Sequence, residues 1–368
     1  MKGSVSLMSR QEKKKKKGTW KKVLLWFFVG LLLLIILVVG GLGIYMNHLL
    51  NQVTPYDPSN DITIAAEDAD KLTEEDPELV PVDPDTDGDI PDMEDLTIPE
   101  ETVPPVEEDP INWDNVINIM LIGQDRRPGQ GRQRSDSMIL VTVNKSMRTI
   151  TLTSFMRDQY VRIPGYKNNK MNAAYAFGGM KLLNETVETN FGVQIDGDVE
   201  VDFNNFEKLI DMLGGVDIKL TKKEAQHLNT GGNWNLSSGT QRLNGAQALA
   251  YARIRKIDSD YRRAERQRTV ISSLINRYKS LPLTEMLAMI DDILPLVTTN
   301  MDKKEIVDIA ISLAPMLSGA ELNTMRIPLD GTFRQGTVRV RPGLAAWFQY
   351  DIDFSANRNA LRELFKEN

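Results

Sequence analysis

The chain of 368 residues contains no cysteine and only two histidines, His48 and His227. Without cysteine the protein has no disulfides, no thiol nucleophile and no thiolate metal site. His48 ends an apolar run and His227 lies in a polar stretch, and neither has the pattern of a Ser-His-Asp triad or a zinc site. Any chemistry must therefore use carboxylates, arginines, hydroxyl groups and a hard metal ion.

Charged residues are unevenly distributed along the chain, whose net charge is −7. Residues 1–22 carry nine Lys or Arg and one Glu, whereas residues 51–110 carry one Lys and twenty-one Asp or Glu. Residues 23–50 contain no Lys, Arg, Asp or Glu, which leaves a net charge of +5 for residues 111–368. A basic domain in an acidic chain indicates an anionic ligand for that domain.

One long apolar run, residues 23–45, has no charged side chain and is long enough to span a bilayer as a helix. It is longer than a signal-peptide core and lacks a small-residue cleavage site, so we expect a retained anchor; a cleaved signal peptide is the alternative. The basic flank predicts that residues 1–22 are a cytoplasmic tail and that the chain from residue 46 onwards is extracellular. Lys13 to Lys17 then contact lipid headgroups, and no nucleic-acid partner is expected.

Residues 46–110 are acidic and rich in proline, and they contain few large apolar side chains. We therefore predict an extended, self-repelling stalk. Within it, Asp83 to Glu94 matches the calcium-loop pattern D-x-D-x-D-G-x5-E. The residues that would hold Ca²⁺ are Asp83, Asp85, Asp87 and Glu94. Pro84 and Pro91 interrupt the loop, and a plain acidic spacer is the alternative.

From residue 111 onwards the composition is that of a globular domain. Apolar and alternating runs predict strands at 116–122, 137–143, 149–155, 197–203, 216–220, 323–327 and 337–340. Helical patterns predict helices at 172–177, 180–190, 204–213, 245–251, 265–279, 284–297, 303–317 and 356–365. Because strands and helices intermix, we expect one α/β domain over residues 111–368, with a central mixed β-sheet flanked by helices.

Charged and polar side chains cluster where the first predicted strands end and where the following helix begins. They are Asp125, Arg134, Asp136, Arg157, Asp158, Lys170 and Asn172. Asp125 ends the first strand and Asp136 precedes the second, and strand-end carboxylates are suited to hold Mg²⁺. Lys170 and Asn172 open a helix whose N-terminus also attracts anions. A lone strand-end Asp is more often a cap, so the grouping is what indicates a site.

A second basic group lies in residues 251–268, which contain seven basic and three acidic side chains in eighteen positions. Arg253 and Arg255 are two residues apart, so on an extended segment they face the same side. A helix is predicted to begin near Asp260, and positions i, i+3 and i+4 would place three donors on one of its faces. They are Arg263, Arg266 and Gln267. A solvated, salt-bridged helix face is the alternative.

Six segments, in this order, resemble the LytR-CpsA-Psr family of Gram-positive cell envelopes. They are NIMLIGQD, RSDSMILVTVN, SFMRDQYVRIPG, KMNAAYAFGG, LNGAQALAYARIRK and DYRRAERQR. The resemblance is strong over residues 115–280 and weaker from there to residue 368. It implies a membrane-anchored protein whose extracytoplasmic α-β-α domain transfers a glycopolymer, such as teichoic acid or capsule, from an undecaprenyl-pyrophosphate lipid to peptidoglycan. It also implies Mg²⁺, or alternatively Mn²⁺, at the pyrophosphate.

The resemblance also implies roles for individual residues. Asp125 and Asp136 would hold the metal ion. The pyrophosphate ligands would be Arg134, Arg157, Arg253, Arg255, Arg263 and Gln267, with Lys170 and Asn172 also binding substrate. Asp158 and Asp260 correspond to acidic positions of the family, and with Arg157 and the two metal ligands they form the expected catalytic set. Asp260 would orient Arg263 or act near the acceptor.

The residue types agree with phosphotransfer, because Mg²⁺ and arginines stabilise the charge on a pyrophosphate leaving group without a His or Cys nucleophile. An incoming sugar hydroxyl needs a base, and carboxylates are the plentiful candidates. Three alternatives stay open: a polyprenyl-pyrophosphate hydrolase that uses water, a non-catalytic binder of lipid-linked glycan, and a membrane-bound regulator of envelope genes. Against the regulator, only 22 residues are cytoplasmic and they contain no helix-turn-helix pattern.

Overall fold

The computed structural model places five of the seven predicted strands of the globular region in one seven-stranded mixed sheet, whereas the predicted strands 216–220 and 337–340 lie in two smaller sheets. The structure describes residues 54–55, 63–74, 78–82, 90–98, 111–124, 134–135, 137–282, 285, 289, 292–317 and 319–366. All of them belong to the unit Val53–Asn368. The predicted tail 1–22 and apolar run 23–45 lie outside these ranges, and within the ranges no helix is long and apolar enough to cross a membrane.

The strands are numbered β1 to β14 along the described chain. Their bounds are Thr54–Pro55, Val80–Pro81, Val116–Gln124, Ser137–Asn144, Thr149–Phe155, Tyr160–Val161, Asn169–Lys170, Gly197–Asp202, Val216–Leu220, Gly239–Leu243, Thr298–Thr299, Glu321–Ile327, Arg334–Arg341 and Leu344–Tyr350. The order in the main sheet is β1-β11-β8-β3-β4-β5-β12. β3, β4 and β5 are successive antiparallel neighbours, whereas β8 pairs with β3 and β12 pairs with β5 in parallel. The expected central mixed sheet is therefore confirmed.

The register brings the carboxyl ends of several strands to one edge of this sheet. Gln124 of β3 pairs with Asp202 of β8, and Phe155 of β5 pairs with Ile327 of β12. β4 begins at the same edge, because Ser137 pairs with Gly123 of β3. The loops that carry the charged residues of the first predicted cluster therefore leave the sheet at this edge.

The helices are numbered α1 to α8. Their bounds are Ala66–Glu74, Met171–Phe191, Phe203–Met212, Lys222–Gly232, Gly245–Ala252, Asp260–Lys279, Lys303–Leu317 and Phe354–Glu363. The sequence indicates why several begin where they do, because Thr221 and Asn244 form capping boxes at the starts of α4 and α5. α2 joins the predicted helices 172–177 and 180–190 across a kink at Gly178 and Gly179, where Gly179 has a φ of 67°. Of the predicted helix 284–297, residues 294–296 form a 3-10 turn.

Helices cover both faces of the sheet because the strand residues alternate between two apolar clusters. Met120 and Leu140 point into a core shared with α2 and α8. Ile117 and Val143 point to the opposite face, where Met316 of α7 packs. A third cluster joins α3, α4, α5 and α6 to the antiparallel pair of β9 and β10. The prediction that helices flank the sheet is therefore confirmed. A space remains between the sheet and the helices α3, α5 and α6.

The acidic region 46–110 differs from the predicted stalk in the segments that the structure describes. Ala69 of α1 is only 3% exposed, and β2 pairs with β14 as an additional edge strand. Leu79 and Leu96 pack against the cluster around Phe348. The prediction of an extended stalk is therefore wrong for these segments, because their few apolar side chains find partners on the domain.

The predicted calcium loop is only partly described. Asp83, Asp85 and Asp87 lie outside the described residues, whereas Glu94 is exposed on a 3-10 turn, Met93–Asp95. Calcium binding therefore stays a prediction.

Candidate functional site

A charged pocket lies where the loops leave the carboxyl edge of the sheet, and we call it the basic pocket. Its lining residues are Glu78, Arg157, Asp158, Lys170, Arg255, Asp258, Asp260 and Trp347. Its volume is about 390 Å³. These side chains come from the β5–β6 connection, β7, the α5–α6 connection, the start of α6, β14 and the chain just before β2. The pocket thus collects predicted site residues from distant parts of the sequence.

Arg157 lies two residues after the end of β5, and its side chain is 9% exposed. Its Nη2 atom lies 2.8 Å from Oε1 and 3.1 Å from Oε2 of Glu78, and its Nε atom lies 3.5 Å from Oδ2 of Asp158. The backbone N–H of Asn172 donates to the carbonyl oxygen of Arg157 at 3.2 Å, which ties the start of α2 to this loop. The guanidinium group is therefore held between two carboxylates at the floor of the pocket.

Lys170 is the most deeply buried cation of the basic pocket, with a side chain that is 2% exposed. Its Nζ atom lies 3.2 Å from Oδ1 of Asp158 and 3.8 Å from Oε2 of Glu78. The same ammonium group lies 5.0 Å from the ring centroid of Phe348. A buried charge requires partners of opposite sign, and these contacts supply them for Lys170.

Asp260 is the first residue of α6 and joins three arginines. Its Oδ1 atom lies 3.5 Å from Nε of Arg255 and 3.5 Å from Nη2 of Arg263. Its Oδ2 atom lies 3.9 Å from Nη2 of Arg157. A carboxylate at a helix N-terminus is also stabilised by the helix dipole. The structure thus places Asp260 where it joins Arg157, Arg255 and Arg263.

An apolar cavity of about 220 Å³ lies between the sheet and helices α3, α5 and α6. Its walls include Leu121, Ile139, Val199, Val201, Phe203, Phe206, Leu249 and Ile271. Arg253, Arg263 and Gln267 line it as well, and Arg255 lines both this cavity and the basic pocket. The Cζ atom of Arg253 lies 4.5 Å from the ring centroid of Phe203, which braces the guanidinium against the cavity wall. An apolar space and the charged basic pocket are therefore adjacent, with Arg255 lining both.

Arg266 does not share the face of Arg263 and Gln267, so this part of the sequence prediction is wrong. Its Nε atom donates to Oε1 of Glu224 at 2.7 Å, and its Nη2 atom pairs with Asp258. Successive positions on a helix differ by about 100°, so Gln267 can face the cavity while its neighbour faces α4. Arg266 therefore fixes the α5–α6 connection to α4.

The pKa of Glu224 reflects its pairing with Arg266. Burial pushes the pKa of Glu224 upward, but the hydrogen bonds from Arg266 and Thr221 outweigh it and hold the pKa below its usual value. Burial, with the nearby charge of Glu224, raises the pKa of Tyr251 to about 12. The carboxylate and the guanidinium are therefore both charged at neutral pH.

The predicted metal ligands Asp125 and Asp136 lie outside the described residues, so the structure does not test them. Within the described part of the chain there is no group of three or more His, Cys, Asp or Glu that could hold a metal ion. The last register pair of β3 and β4 joins Gly123 with Ser137. In the sequence, Gly123 lies two residues before Asp125, and Ser137 lies one residue after Asp136. Arg134, a predicted pyrophosphate ligand, is half-buried in the same connection. The metal site stays a prediction.

Three residues of the basic pocket, Glu78, Asp258 and Trp347, were not predicted as site residues from the sequence. Glu78 is one of twenty-one acidic residues in region 51–110, and no local pattern distinguishes it from the others. Trp347 is 51% exposed although its strand neighbours Ala346 and Phe348 are buried. An exposed tryptophan between buried strand residues would indicate a site at Trp347, but this signal can be used only after the strand has been assigned.

Comparison with curated proteins finds relatives with two kinds of name. The chain is 36% identical over 209 residues to the polyisoprenyl-teichoic acid–peptidoglycan teichoic acid transferase TagT of Bacillus subtilis, which covers 55% of this chain and 64% of that protein. The match therefore spans just under two thirds of TagT. The chain is also 30% identical over 263 residues to the regulatory protein MsrR of Staphylococcus aureus, covering 70% of this chain and 77% of MsrR.

Comparison with solved structures finds the same fold. TagT bound to LIIa-WTA superposes with a TM-score of 0.56 at 30% identity, over 73% of this chain and 98% of TagT. TagT with bound octaprenyl pyrophosphate lipid gives a TM-score of 0.52 at 29% identity over the same shares. Residues 91–343, which include every described residue of the basic pocket except Glu78 and Trp347, match the model of one family. The chain belongs to the LytR_cpsA_psr family.

Proposed function

We propose that this protein is a phosphotransferase that moves a glycopolymer, teichoic acid or a capsule-like polysaccharide, from an undecaprenyl-pyrophosphate lipid to peptidoglycan. The observation that carries the proposal is the shared residue Arg255, which lines both the basic pocket and the apolar cavity. A lipid pyrophosphate has the matching chemistry, with an anionic head beside an apolar chain. The name of TagT and the polyprenyl pyrophosphate bound in its structure support a transferase with such a substrate.

The two spaces would bind different parts of the substrate, the pyrophosphate in the basic pocket and the polyprenyl chain in the apolar cavity. Arginines offer planar forks of donors to phosphate oxygens, and Arg157, Arg255 and Arg263 already converge around Asp260. Phe203 and Phe206 line the cavity that would take the first part of the polyprenyl chain. Burial of apolar surface contributes about 25 cal/mol per Å², so the chain adds affinity without adding charge.

In the proposed reaction a hydroxyl oxygen of peptidoglycan attacks the phosphorus atom that is bonded to the glycan. A new phosphorus–oxygen bond forms while the bridging bond of the pyrophosphate breaks, and polyprenyl phosphate leaves with the negative charge. The cations of the basic pocket stabilise that charge in the transition state. The hydroxyl proton passes to a carboxylate of the pocket, for which Asp158 and Asp260 are the candidates.

Asp125 and Asp136 would hold Mg²⁺, or Mn²⁺, which supplies further neutralisation of the pyrophosphate charge when it is bound. Anchoring by residues 23–45 would hold the extracellular domain at the membrane that contains the lipid substrate. Membrane lipid, the lipid-linked glycan and peptidoglycan are therefore the proposed partners.

The test uses the full chain in detergent micelles with Mg²⁺, a synthetic lipid-pyrophosphate-linked saccharide and a short peptidoglycan oligomer. Mass spectrometry is expected to show a phosphodiester-linked conjugate from the wild type and at least a tenfold lower yield from Arg255→Ala. Arg242→Ala is the matched control, because Arg242 forms an exposed pair with Asp217 elsewhere on the surface. Released saccharide phosphate without conjugate would favour a hydrolase instead.

A regulator is the second candidate function, and the similarity to MsrR is the observation that favours it. A regulator needs the lipid-linked glycan as a signal but does not consume it. Binding of the synthetic lipid without any product in the same assay, under conditions where TagT is active, would support the regulator.

A further inference from the structure

We propose that Glu78 is a built-in anionic ligand of the basic pocket, which a phosphate substrate must displace before it binds. Glu78 would then set the affinity and the selectivity of the site for anions. The identity of the displacing ligand as a diphosphate rests on the proposed function.

The contacts of Glu78 are those expected of a phosphate oxygen. Its two carboxylate oxygens lie 2.8 and 3.1 Å from Nη2 of Arg157. The same carboxylate lies 3.6 Å from Nη2 of Arg255 and 3.8 Å from Nζ of Lys170. A carboxylate is planar and a phosphate is tetrahedral, but both present acceptor oxygens that bind the same guanidinium and ammonium donors. One internal carboxylate thus engages three cations of the proposed substrate site.

The charge balance of the pocket explains why such a ligand is useful. Arg157 and Lys170 are 9% and 2% exposed, and buried cations without partners destabilise a fold. Burial pushes the pKa of Glu78 upward, but the charges of Arg157, Lys170 and Arg255 outweigh it and hold the pKa below its usual value. Glu78 is therefore ionised at neutral pH and compensates the pocket while substrate is absent.

Glu78 differs from the other carboxylate at these cations in how it is held. Asp158 lies three residues after the end of β5, its side chain is 7% exposed, and its backbone carbonyl accepts from the N–H of Gln349. Glu78 is 35% exposed and precedes β2, which pairs with β14 through only two residues. Asp158 is therefore a fixed part of the pocket wall, whereas Glu78 can leave the pocket by a small movement of a short edge segment.

Competition of this kind has a quantitative consequence. When a site is occupied by its own side chain for most of the time, the apparent dissociation constant rises in inverse proportion to the open fraction. Removing the charge of Glu78 is therefore expected to tighten pyrophosphate binding by about tenfold, which corresponds to about 1.4 kcal/mol. A residue that only supported the fold would give weaker or unchanged binding when it is substituted.

The experiment is calorimetric titration of the full chain in detergent with inorganic pyrophosphate, for wild type and Glu78→Gln. The control is Asp70→Asn, because Asp70 belongs to the same acidic region and pairs with Lys167 at 2.8 Å outside the pocket. We expect about tenfold tighter binding for Glu78→Gln and no change for Asp70→Asn. Glu78→Asp, which keeps the charge but withdraws it by one methylene, is expected to fall between wild type and Glu78→Gln.

Two outcomes overturn the inference, and they separate it from the proposed function. If the wild type binds pyrophosphate and Glu78→Gln binds it equally or more weakly, Glu78 does not compete, while the phosphate site stands. If neither protein binds pyrophosphate, the basic pocket is not a phosphate site and both proposals fail. Circular dichroism of each variant shows that the comparison is between folded proteins.

Discussion

Arg157 makes three of the described ion pairs in the basic pocket, more than Lys170 or Arg255, and its chemistry explains why an arginine is needed there. It contacts Glu78, Asp158 and Asp260 from one planar group whose donors point in fixed directions. A lysine would keep the charge but would offer a single ammonium on a flexible stem. The geometry of the guanidinium, rather than its charge alone, is therefore what organises the pocket.

Arg157→Lys is accordingly expected to weaken pyrophosphate binding by about tenfold, since a bidentate contact is replaced by a point charge. Arg242→Lys is the control, because its pair with Asp217 is exposed and contributes little. Calorimetric titration with inorganic pyrophosphate measures both. Equal affinities for the wild type and Arg157→Lys would mean that Arg157 is not a phosphate ligand.

The pair of Glu224 and Arg266 gives a prediction about stability and pH. The pKa of Glu224 in the fold lies below its usual value of 4.5, so the ionised carboxylate stabilises the protein at neutral pH. This contribution is present above about pH 4.5 and is lost as the pH falls through the lowered pKa. Glu224→Gln leaves Arg266 with Asp258 alone, and at pH 7 we expect a loss of about 3 kcal/mol in unfolding free energy.

Urea unfolding of the wild type and Glu224→Gln at pH 7 and pH 3.5 measures that difference. It should shrink at pH 3.5, because the carboxyl group is then largely protonated in the unfolded chain and folding with an ionised Glu224 must release that proton. Lys304 and Asp308 form an exposed pair on α7, so Asp308→Asn should change stability by less than about 1 kcal/mol at either pH. A difference for Glu224→Gln that is independent of pH would show that the charge is not what matters.

Side-chain direction limits how much of the site the sequence predicts at this scale. Spacing identified Arg263 and Gln267 as neighbours on α6, and both line the apolar cavity. The same spacing grouped Arg266 with them. Helical periodicity does not show that Glu224 on α4 is the partner of Arg266. Glu78 was not predicted because its contact with Arg157 spans 79 residues and leaves no local pattern.

At the scale of elements, the crossing of α3 and α5 determines the width of the apolar cavity. Gly245 is the first residue of α5, and a β-carbon there would lie 2.2 Å from the carbonyl oxygen of Glu207 on α3. Phe203 and Phe206 of α3, and Leu249 of α5, line the cavity. The glycine is therefore what allows the two cavity-forming helices to approach so closely.

Gly245→Ala should push α3 away from α5, since the contact is with backbone and cannot be relieved by a side-chain rotation. We expect a loss of about 1–3 kcal/mol in stability, together with weaker binding of a polyprenyl pyrophosphate. Binding of inorganic pyrophosphate should change much less. Gly231→Ala is the control, because a β-carbon at Gly231 has no atom within 4 Å. Equal stability of the wild type and Gly245→Ala would contradict the close-packing argument.

Element prediction succeeded for strands rich in apolar and β-branched residues, and it missed β14. β3 alternates along much of its length, and its predicted position agrees with Val116–Gln124. β14 was not predicted, because Ala345, Ala346, Phe348 and Gln349 are all buried and only Trp347 between them is exposed. Burial on both faces removes the period of two, and two of the seven residues of β14 are alanine, which is depleted in strands.

At the scale of the whole molecule, the acidic region is partly built into the domain. Leu79, Met93 and Leu96 pack beside Phe348, and Ile64 packs against the main core. β2 also covers the edge of β14 at Leu344 and Ala345. Composition predicted a stalk because the region has many charges, but a few apolar side chains in the right register suffice to dock it. The folded unit therefore begins well before residue 111.

This makes a test of truncation informative. A chain that begins at residue 111 loses these apolar contacts and exposes the edge of β14, so we expect its Tm to be about 5–10 °C lower than that of a chain beginning at Val53. The unpaired edge should also make it more prone to associate, which light scattering detects. Because truncation removes Glu78 as well, any folded fraction should bind pyrophosphate more tightly, as Glu78→Gln does. Equal Tm values would show that the acidic region is a spacer. A lower Tm with unchanged pyrophosphate affinity would show that the acidic region packs on the domain but that Glu78 does not compete with pyrophosphate.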